Sequence, residues 1–231
     1  TLRGLYAAAF DSVFAVGDGG TIRRFDGKTW TAESSSVSVD LYAVWGSAKN
    51  DVWAAGDGGT LLHFDGAAWT PRPIGAAADE TLRGVHGSAA DNVWVVSTAG
   101  NVFHFDGTAF TKAALAQRRL LAVWVGGANN AWAVGDAGAA YQFDGATWTS
   151  KPVSTAASLN AIYGAAGDQV LVGSSASTLQ RRDGSAWRAL DNLVGTALYA
   201  AHGSGTDVWL VGNRGGVLRW DGKSLATVST G

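Results

Sequence analysis

The chain has 231 residues, no cysteine, and 17 Lys and Arg against 19 Asp and Glu, for a formal net charge of −2. The missing cysteine excludes disulfides, thiolate metal sites and cysteine nucleophiles, and the balanced charge speaks against nucleic-acid binding, which needs clustered positive charge to neutralise phosphates. With 47% apolar and 16% charged residues and 32 glycines, the sequence is too apolar for disorder and too glycine-rich for a helical protein, and no run of about 18 apolar residues provides a membrane span.

The predicted elements recur with a period. A leucine opens each unit, at Leu2, Leu41, Leu82, Leu120, Leu159 and Leu198. An Asp-Gly pair closes a hairpin in each, at Asp26, Asp65, Asp106, Asp144, Asp183 and Asp221, with spacings of 39, 41, 38, 39 and 38 residues. In the best-formed unit the first strand is predicted over residues 41–45, ended by Gly46-Ser47. A second strand over 52–55 is ended by Gly56-Asp57-Gly58-Gly59, a third over 60–64 by Asp65-Gly66, and a fourth covers 68–70. Asp-Gly between extended segments predicts a type I′ turn, which needs positive φ. No segment carries a capped helical period.

Four antiparallel strands repeated about every 40 residues predict an all-β, six-bladed β-propeller filling residues 1–231 as one domain. The chain starts on a first strand and ends near a fourth, over residues 225–229. Each blade is therefore expected from one contiguous segment, without strand exchange at closure, so that closure rests on packing alone. With no methionine even at the start, the chain reads as a mature or excised segment, any signal peptide lying outside it.

The pattern L-x-x-V, then V-W-A-x-G-D-G-G-T, then F-D-G-x-x-W-T resembles bacterial propeller repeats related to the photosystem II assembly and stability factor family. It is also similar to the Asp-box propellers, which include sialidases and sortilin-type domains. The resemblance covers the whole chain and is clearest in units one, two and four, with Gly17-Asp18-Gly19-Gly20, Gly56-Asp57-Gly58-Gly59 and Gly135-Asp136-Ala137-Gly138. Asp26-Gly27-Lys28-Thr29-Trp30 is one residue shorter than a full Asp box, and unit five departs from the pattern, with Leu171 and Arg182 in place of aromatics. The resemblance implies the propeller fold and an extracytoplasmic or secreted location.

The repeated residues are expected to serve the fold. The Asp-Gly aspartates fold onto local backbone N–H groups rather than forming a metal ring. The columns Phe14, Trp53, Trp94, Trp132, Leu171, Trp209 and Trp30, Trp69, Phe110, Trp148, Trp187, Leu225 pack between blades rather than stacking on sugars. The glycine turns precede strands, whereas a phosphate loop needs a helix N-terminus. His63, His86, His104 and His202 lack the spacing of a helical metal motif, and no nucleophile elbow is present. The only glutamates, Glu33 and Glu80, lie in the variable stretches between blades. No catalytic residue, metal ligand or cofactor is assigned, and no enzyme activity is expected.

Two first-strand columns stand out. The fifth residue is aromatic or histidine throughout: Tyr6, Trp45, His86, Trp124, Tyr163 and His202. The second residue varies in chemistry: Arg3, Tyr42, Arg83, Leu121, Asn160 and Tyr199. Strand parity places the two columns on opposite faces. The second column is expected at the funnel where the first strands begin, beside Asp18, Asp57, Asp136, Asn213 and Arg214. The linkers entering that face, residues 71–81 and 112–119, vary most in length and composition, and recognition commonly lives on such loops. Arg3, Tyr42, Arg83, Asn160 and Tyr199 are the candidate ligand-binding residues. The expected function is a non-catalytic binding or assembly module for a protein, peptide or glycan partner. The alternatives are a lectin-like carbohydrate-binding propeller and, disfavoured by the missing acids, a sialidase- or lactonase-type hydrolase.

Overall fold

The computed structural model describes residues 1–115, 117–164, 170–176, 178–184, 186–190 and 195–229. The chain is all-β and forms a six-bladed β-propeller: six four-stranded sheets, each made of four consecutive strands in sequence order. The blades span residues 2–33, 41–71, 82–114, 120–150, 159–190 and 198–227. Each blade is one contiguous segment, and among the described residues no strand is exchanged between blades. Two compact units are delimited, Thr1–Asn129 and Asn130–Gly231.

In the first unit the blades stack by one repeated contact. Phe14, Val16 and Ile22 of blade one meet Leu41, Val44, Leu62, Phe64 and Trp69 of blade two. Trp53, Ala55 and Leu61 of blade two meet Leu82, Val85, Phe103 and Phe105 of blade three in the same way. Phe14 stands edge-on to Trp69, with ring centroids 5.9 Å apart, the arrangement aromatic quadrupoles prefer. Each such large side chain contributes roughly 1.5–3 kcal/mol when fully buried. In the second unit Leu179 of blade five packs with Leu198, Leu210, Leu218 and Trp220 of blade six. Arg182, which stands where other units carry an aromatic, is buried with its guanidinium 5.0 Å from the Trp132 ring centre. A cation–π contact thus replaces the missing aromatic pair. The side chain of Leu171 lies outside the described residues.

The structure changes two local expectations. The first strand of blade two runs Leu41–Ala48, through Gly46-Ser47 rather than ending there. Gly46 pairs with Val52; a Cβ on it would lie 2.5 Å from the Asp51 carbonyl oxygen and 2.9 Å from the Tyr6 ring. The glycine therefore permits close packing within the strand instead of breaking it. The Asp-Gly hairpins are not two-residue type I′ turns. Phe64 pairs with Trp69 across a four-residue loop, in which Gly66 has positive φ and Asp65 does not. Asp65 Oδ1 instead accepts hydrogen bonds from the N–H groups of Ala67 and Ala68, at 2.9 and 3.0 Å. Asp26, Asp106, Asp144 and Asp221 do the same two and three residues ahead. The carboxylate that organises the loop substitutes for the second positive-φ residue. The side chain of Asp183 lies outside the described residues.

Between blades two and three the linker is fastened by Glu80, which is 3% exposed. Its carboxylate accepts hydrogen bonds from Ser97 Oγ, from Asn101 Nδ2 at 2.7 Å and from the Ala77 N–H at 3.1 Å. Burial pushes the carboxyl upward, but these donors outweigh it and hold the group below its usual range. A glutamate in a variable stretch is thus an internal tie.

Two measurements check these assignments. Glu80→Ala leaves buried donors unpaired and is expected to reduce unfolding free energy by about 2 kcal/mol in urea melts at neutral pH. Because the folded carboxyl titrates lower than the unfolded one, its contribution is present above the unfolded pKa and is lost as pH falls through the folded one. Glu80→Gln should flatten that acid limb. The turn carboxylates Asp106 and Asp221 are held down to about 2, Asp106 first by the Thr108 hydroxyl and Asp221 first by the Ser224 N–H. Carbon-13 titration of the aspartate carboxyls should show Asp106 and Asp221 still ionised at pH 3.

Candidate functional site

The second residue of the first strand sits in a β-bulge. In blade two Leu41 pairs with Gly56 and Ala43 with Ala55, leaving Tyr42 without a place in the ladder. Blades one, three, five and six carry the same irregularity at Arg3, Arg83, Asn160 and Tyr199. A bulge re-aims its side chain, so simple alternation along the strand does not set where this column faces.

The turn after the second strand is tied to the start of the same blade. The N–H of Asp18 donates to the Thr1 carbonyl at 2.9 Å, Asp57 to Asp40 at 3.0 Å and Asn213 to Ala197 at 3.1 Å. This brings the first residue of the turn against the bulged side chain. Arg3 Nε donates to Asp18, Tyr42 Oη donates to Asp57 Oδ2 at 3.0 Å, and Asn213 Nδ2 donates to Tyr199 Oη at 3.2 Å.

In the first unit three candidate residues come together. The Tyr42 ring has the Arg3 guanidinium 5.1 Å from its centre and that of Arg83 at 4.1 Å, cation–π contacts on one aromatic. Arg3 Nη2 also donates to Asp40 Oδ2 at 3.2 Å, and Asp40 Oδ1 accepts from the Gly19 N–H at 2.9 Å. Thr81 Oγ1 donates to Asp57 Oδ1 at 2.7 Å. Arg3 is therefore paired, and its hydrogen bond to Asp18 raises its pKa further. Arg83, half-buried, makes no hydrogen bond or ion pair among the described residues. The turn residue of its blade is Thr98, whose hydroxyl accepts the Thr81 N–H at 3.1 Å; no carboxylate stands where Asp18 stands beside Arg3. A guanidinium so placed presents donors in a planar fork suited to carboxylate or carbonyl oxygens. Burial and then the Asp57 carboxylate raise the Tyr42 phenol above its ordinary value, so it remains a donor at neutral pH.

In the second unit Asn160 is half-buried, with Nδ2 3.5 Å from the Leu198 carbonyl oxygen. Tyr199 is exposed at the start of blade six. Asp136 accepts from Ser158 Oγ at 2.7 Å, as Asp57 does from Thr81. Asp40, Thr81 and Ser158 were not singled out from the sequence. The signal for them is a column, the residue immediately before each opening leucine.

The histidines serve packing. His63 stacks on Trp53 at 4.2 Å and bonds Asp51 at 2.6 Å, while His104 stacks on Trp94 at 4.0 Å and bonds Asn92 at 2.9 Å. His86 Nδ1 accepts the Val125 N–H at 3.1 Å. Among the described residues no group of three His, Cys, Asp or Glu could hold a metal ion, and no helix is long and apolar enough to cross a membrane. A groove of about 350 Å³ lined by Glu33, Ser36, Phe64 and Trp69 lies on the first unit. Its carboxylate already accepts Trp69 Nε1 at 2.8 Å.

No family model matches the sequence, and no curated protein matches it. Solved structures share the fold. YCF48 bound to D1 peptide is 15% identical with a TM-score of 0.77, over 98% of this chain and 82% of that one. YCF48 from Cyanidioschyzon merolae is 15% identical with a TM-score of 0.74, over 98% and 84%. The WD40 β-propeller domain of Doa1 is 13% identical with a TM-score of 0.78, over 98% and 82%.

The raised phenol gives a direct check. Burial raises the Tyr6 and Tyr163 phenols as well, so ultraviolet titration of the five tyrosines should contain a component ionising above pH 10 that shrinks by one of three phenols in Tyr42→Phe.

Proposed function

We propose that the protein is a non-catalytic binding module that holds a protein or peptide partner where its first strands begin, with Arg3, Tyr42 and Arg83 as the contact group of the first unit. The observation that carries this reading is Arg83, a guanidinium stacked on Tyr42 with no carboxylate of its own. It supplies directional donors, Tyr42 supplies flat contact area, and Arg3, locked by Asp18 and Asp40, lies against the same ring. Preorganisation of this kind reduces the ordering cost of association. Asn160 and Tyr199 hold the equivalent strand position in the second unit. The peptide bound to one solved propeller of this fold supports a peptide as ligand class.

A protein or peptide is preferred over a glycan because most of the second-strand aromatic column is consumed by packing, Trp209 being its exposed member. Trp53, Trp94 and Trp132 are 1%, 4% and 1% exposed, so they offer no repeated sugar platform.

The test begins with selection of peptides from a random displayed library on the wild-type protein. The selected peptide is then titrated by calorimetry against variants. Arg83→Ala should weaken it at least about tenfold, equivalent to ~1.4 kcal/mol, the pair Arg3→Ala with Arg83→Ala more so, and Tyr42→Phe little. Tyr199→Ala reports on the second unit. Affinity untouched by the arginine pair would overturn this placement.

A further inference from the structure

The groove between the fourth strands of blades one and two holds a carboxylate that the fold does not require. Glu33 stands three residues after the fourth-strand aromatic of blade one. The same column reads Arg72, Ala113, Lys151, Leu190 and Val228 in the other blades, so the acid belongs to blade one alone. Glu33 Oε2 accepts the indole N–H of Trp69, the fourth-strand aromatic of blade two, at 2.8 Å. In blade five the matching indole, that of Trp187, donates to the Lys151 backbone carbonyl at 2.9 Å. A main-chain oxygen thus serves this bond elsewhere.

The second carboxylate oxygen is open. Glu33 Oε1 accepts no hydrogen bond among the described residues. Arg24 Nη1 lies 3.6 Å from it, beyond hydrogen-bond range. The Arg24 guanidinium is kept from closing that gap by the rings of Phe14 and Phe64, whose centres are each 5.3 Å away. A carboxylate with one hydrogen bond retains capacity for further donors.

The surrounding walls are fixed in place. Ser34 and Ser36, both exposed, bring hydroxyls to one side of the groove, and Ala67 and Ala68 bring methyl groups to the other. Ser36 is held at a φ of 58°, a left-handed conformation that persists in a residue other than glycine only where its surroundings enforce it, as binding sites often do. Beside it Ser35 Oγ donates to the Val37 carbonyl at 3.1 Å. This turn presses so closely on blade one that a Cβ on Gly20 would lie 2.0 Å from the Val37 oxygen.

We propose that this groove takes a lysine side chain from a protein or peptide partner, at a contact separate from the first-strand column and independent of it. The four-carbon stem lies over Ala67, Ala68 and the edges of Phe64 and Trp69, while the ammonium donates to Glu33 Oε1 and to the Ser34 and Ser36 hydroxyls. Three donors on a compact head match three oxygen acceptors, and such stems pack well on apolar surface. Arginine suits the site less, because its planar fork seeks both oxygens of a carboxylate and the Trp69 indole already occupies Oε2. An apolar side chain would leave Oε1 unpaired, and an anion would meet Glu33 directly.

The experiment follows the Trp69 indole N–H by proton–nitrogen NMR, its signal assigned with Trp69→Phe, as Nα-acetyl-lysine methylamide is added. Two controls are Nα-acetyl-norleucine methylamide, which keeps the stem without the ammonium, and the lysine probe acetylated at Nζ. The lysine probe should move the Trp69 signal saturably, and neither control should. Glu33→Gln keeps an oxygen for the indole and removes the charge. With its urea midpoint showing that it folds, it should weaken the probe at least about tenfold. Arg83→Ala should leave the titration unchanged. An absent or non-saturating shift overturns the proposal, as does an equal response to the norleucine compound or undiminished binding in Glu33→Gln. Loss of the response in folded Arg83→Ala would overturn it too, by placing the probe at the first-strand contact group.

Discussion

A four-stranded sheet of this length cannot shield its two surfaces by itself, and the burial of one blade against the next is what the rest of the structure depends on. The contact is a large ring from the second strand of one blade set among a leucine, a valine and aromatics of the following blade. Phe14 among Leu41, Phe64 and Trp69 is one instance, and Trp53 among Leu82, Phe105 and Phe110 is another. Stability in such arrays accrues from nearest-neighbour interfaces. The columns that recur in sequence are those that line this contact. Where a column loses its aromatic, the contact is kept by other means, as Arg182 over Trp132 shows.

The packing columns and the blade count were legible because they repeat, and repetition converts a weak local pattern into a strong one. Features that depend on geometry between residues were less legible. The Asp-Gly pair announced a hairpin, but whether Asp itself takes positive φ depends on what its carboxylate bonds. With two N–H groups ahead of it to accept, it stays in an ordinary conformation and the loop grows to four residues. Gly46 read as a stop because glycine usually interrupts strands; its role comes from the Tyr6 ring of the neighbouring blade, a contact no local window contains. Glu80 read as a linker charge, and only the fold reveals Ser97 and Asn101 around it.

The bulge explains how one column can vary without disturbing the rest. A residue outside the ladder contributes neither a cross-strand pair nor a side chain to the apolar core between blades, so its chemistry is free of the constraint that fixes its neighbours. The turn tied beside it supplies a polar companion in blades one, two and six. The column was therefore visible in sequence as the one that changes, although the bulge interrupts the alternation on which strand parity relies.

The two arginines of that column show how far residue type alone can mislead. Arg3 and Arg83 occupy equivalent places and lean on the same tyrosine ring. What separates them is the turn residue of each blade. Asp18 takes Arg3 Nε, and Asp40 from the linker takes Nη2, so that guanidinium acts as a structural clamp. In blade three the turn residue is Thr98, bonded to Thr81 through backbone and hydroxyl, and the counterpart of Asp40, the residue before the next opening leucine, is Arg119, so neither place supplies an anion to Arg83. Both replacements can be read from the aligned repeats, because the turn column and the column before the leucine are as regular as the arginines themselves. An arginine keeps its donors available when the columns around it lack the acid that would neutralise it, and in the first unit that condition is met at Arg83.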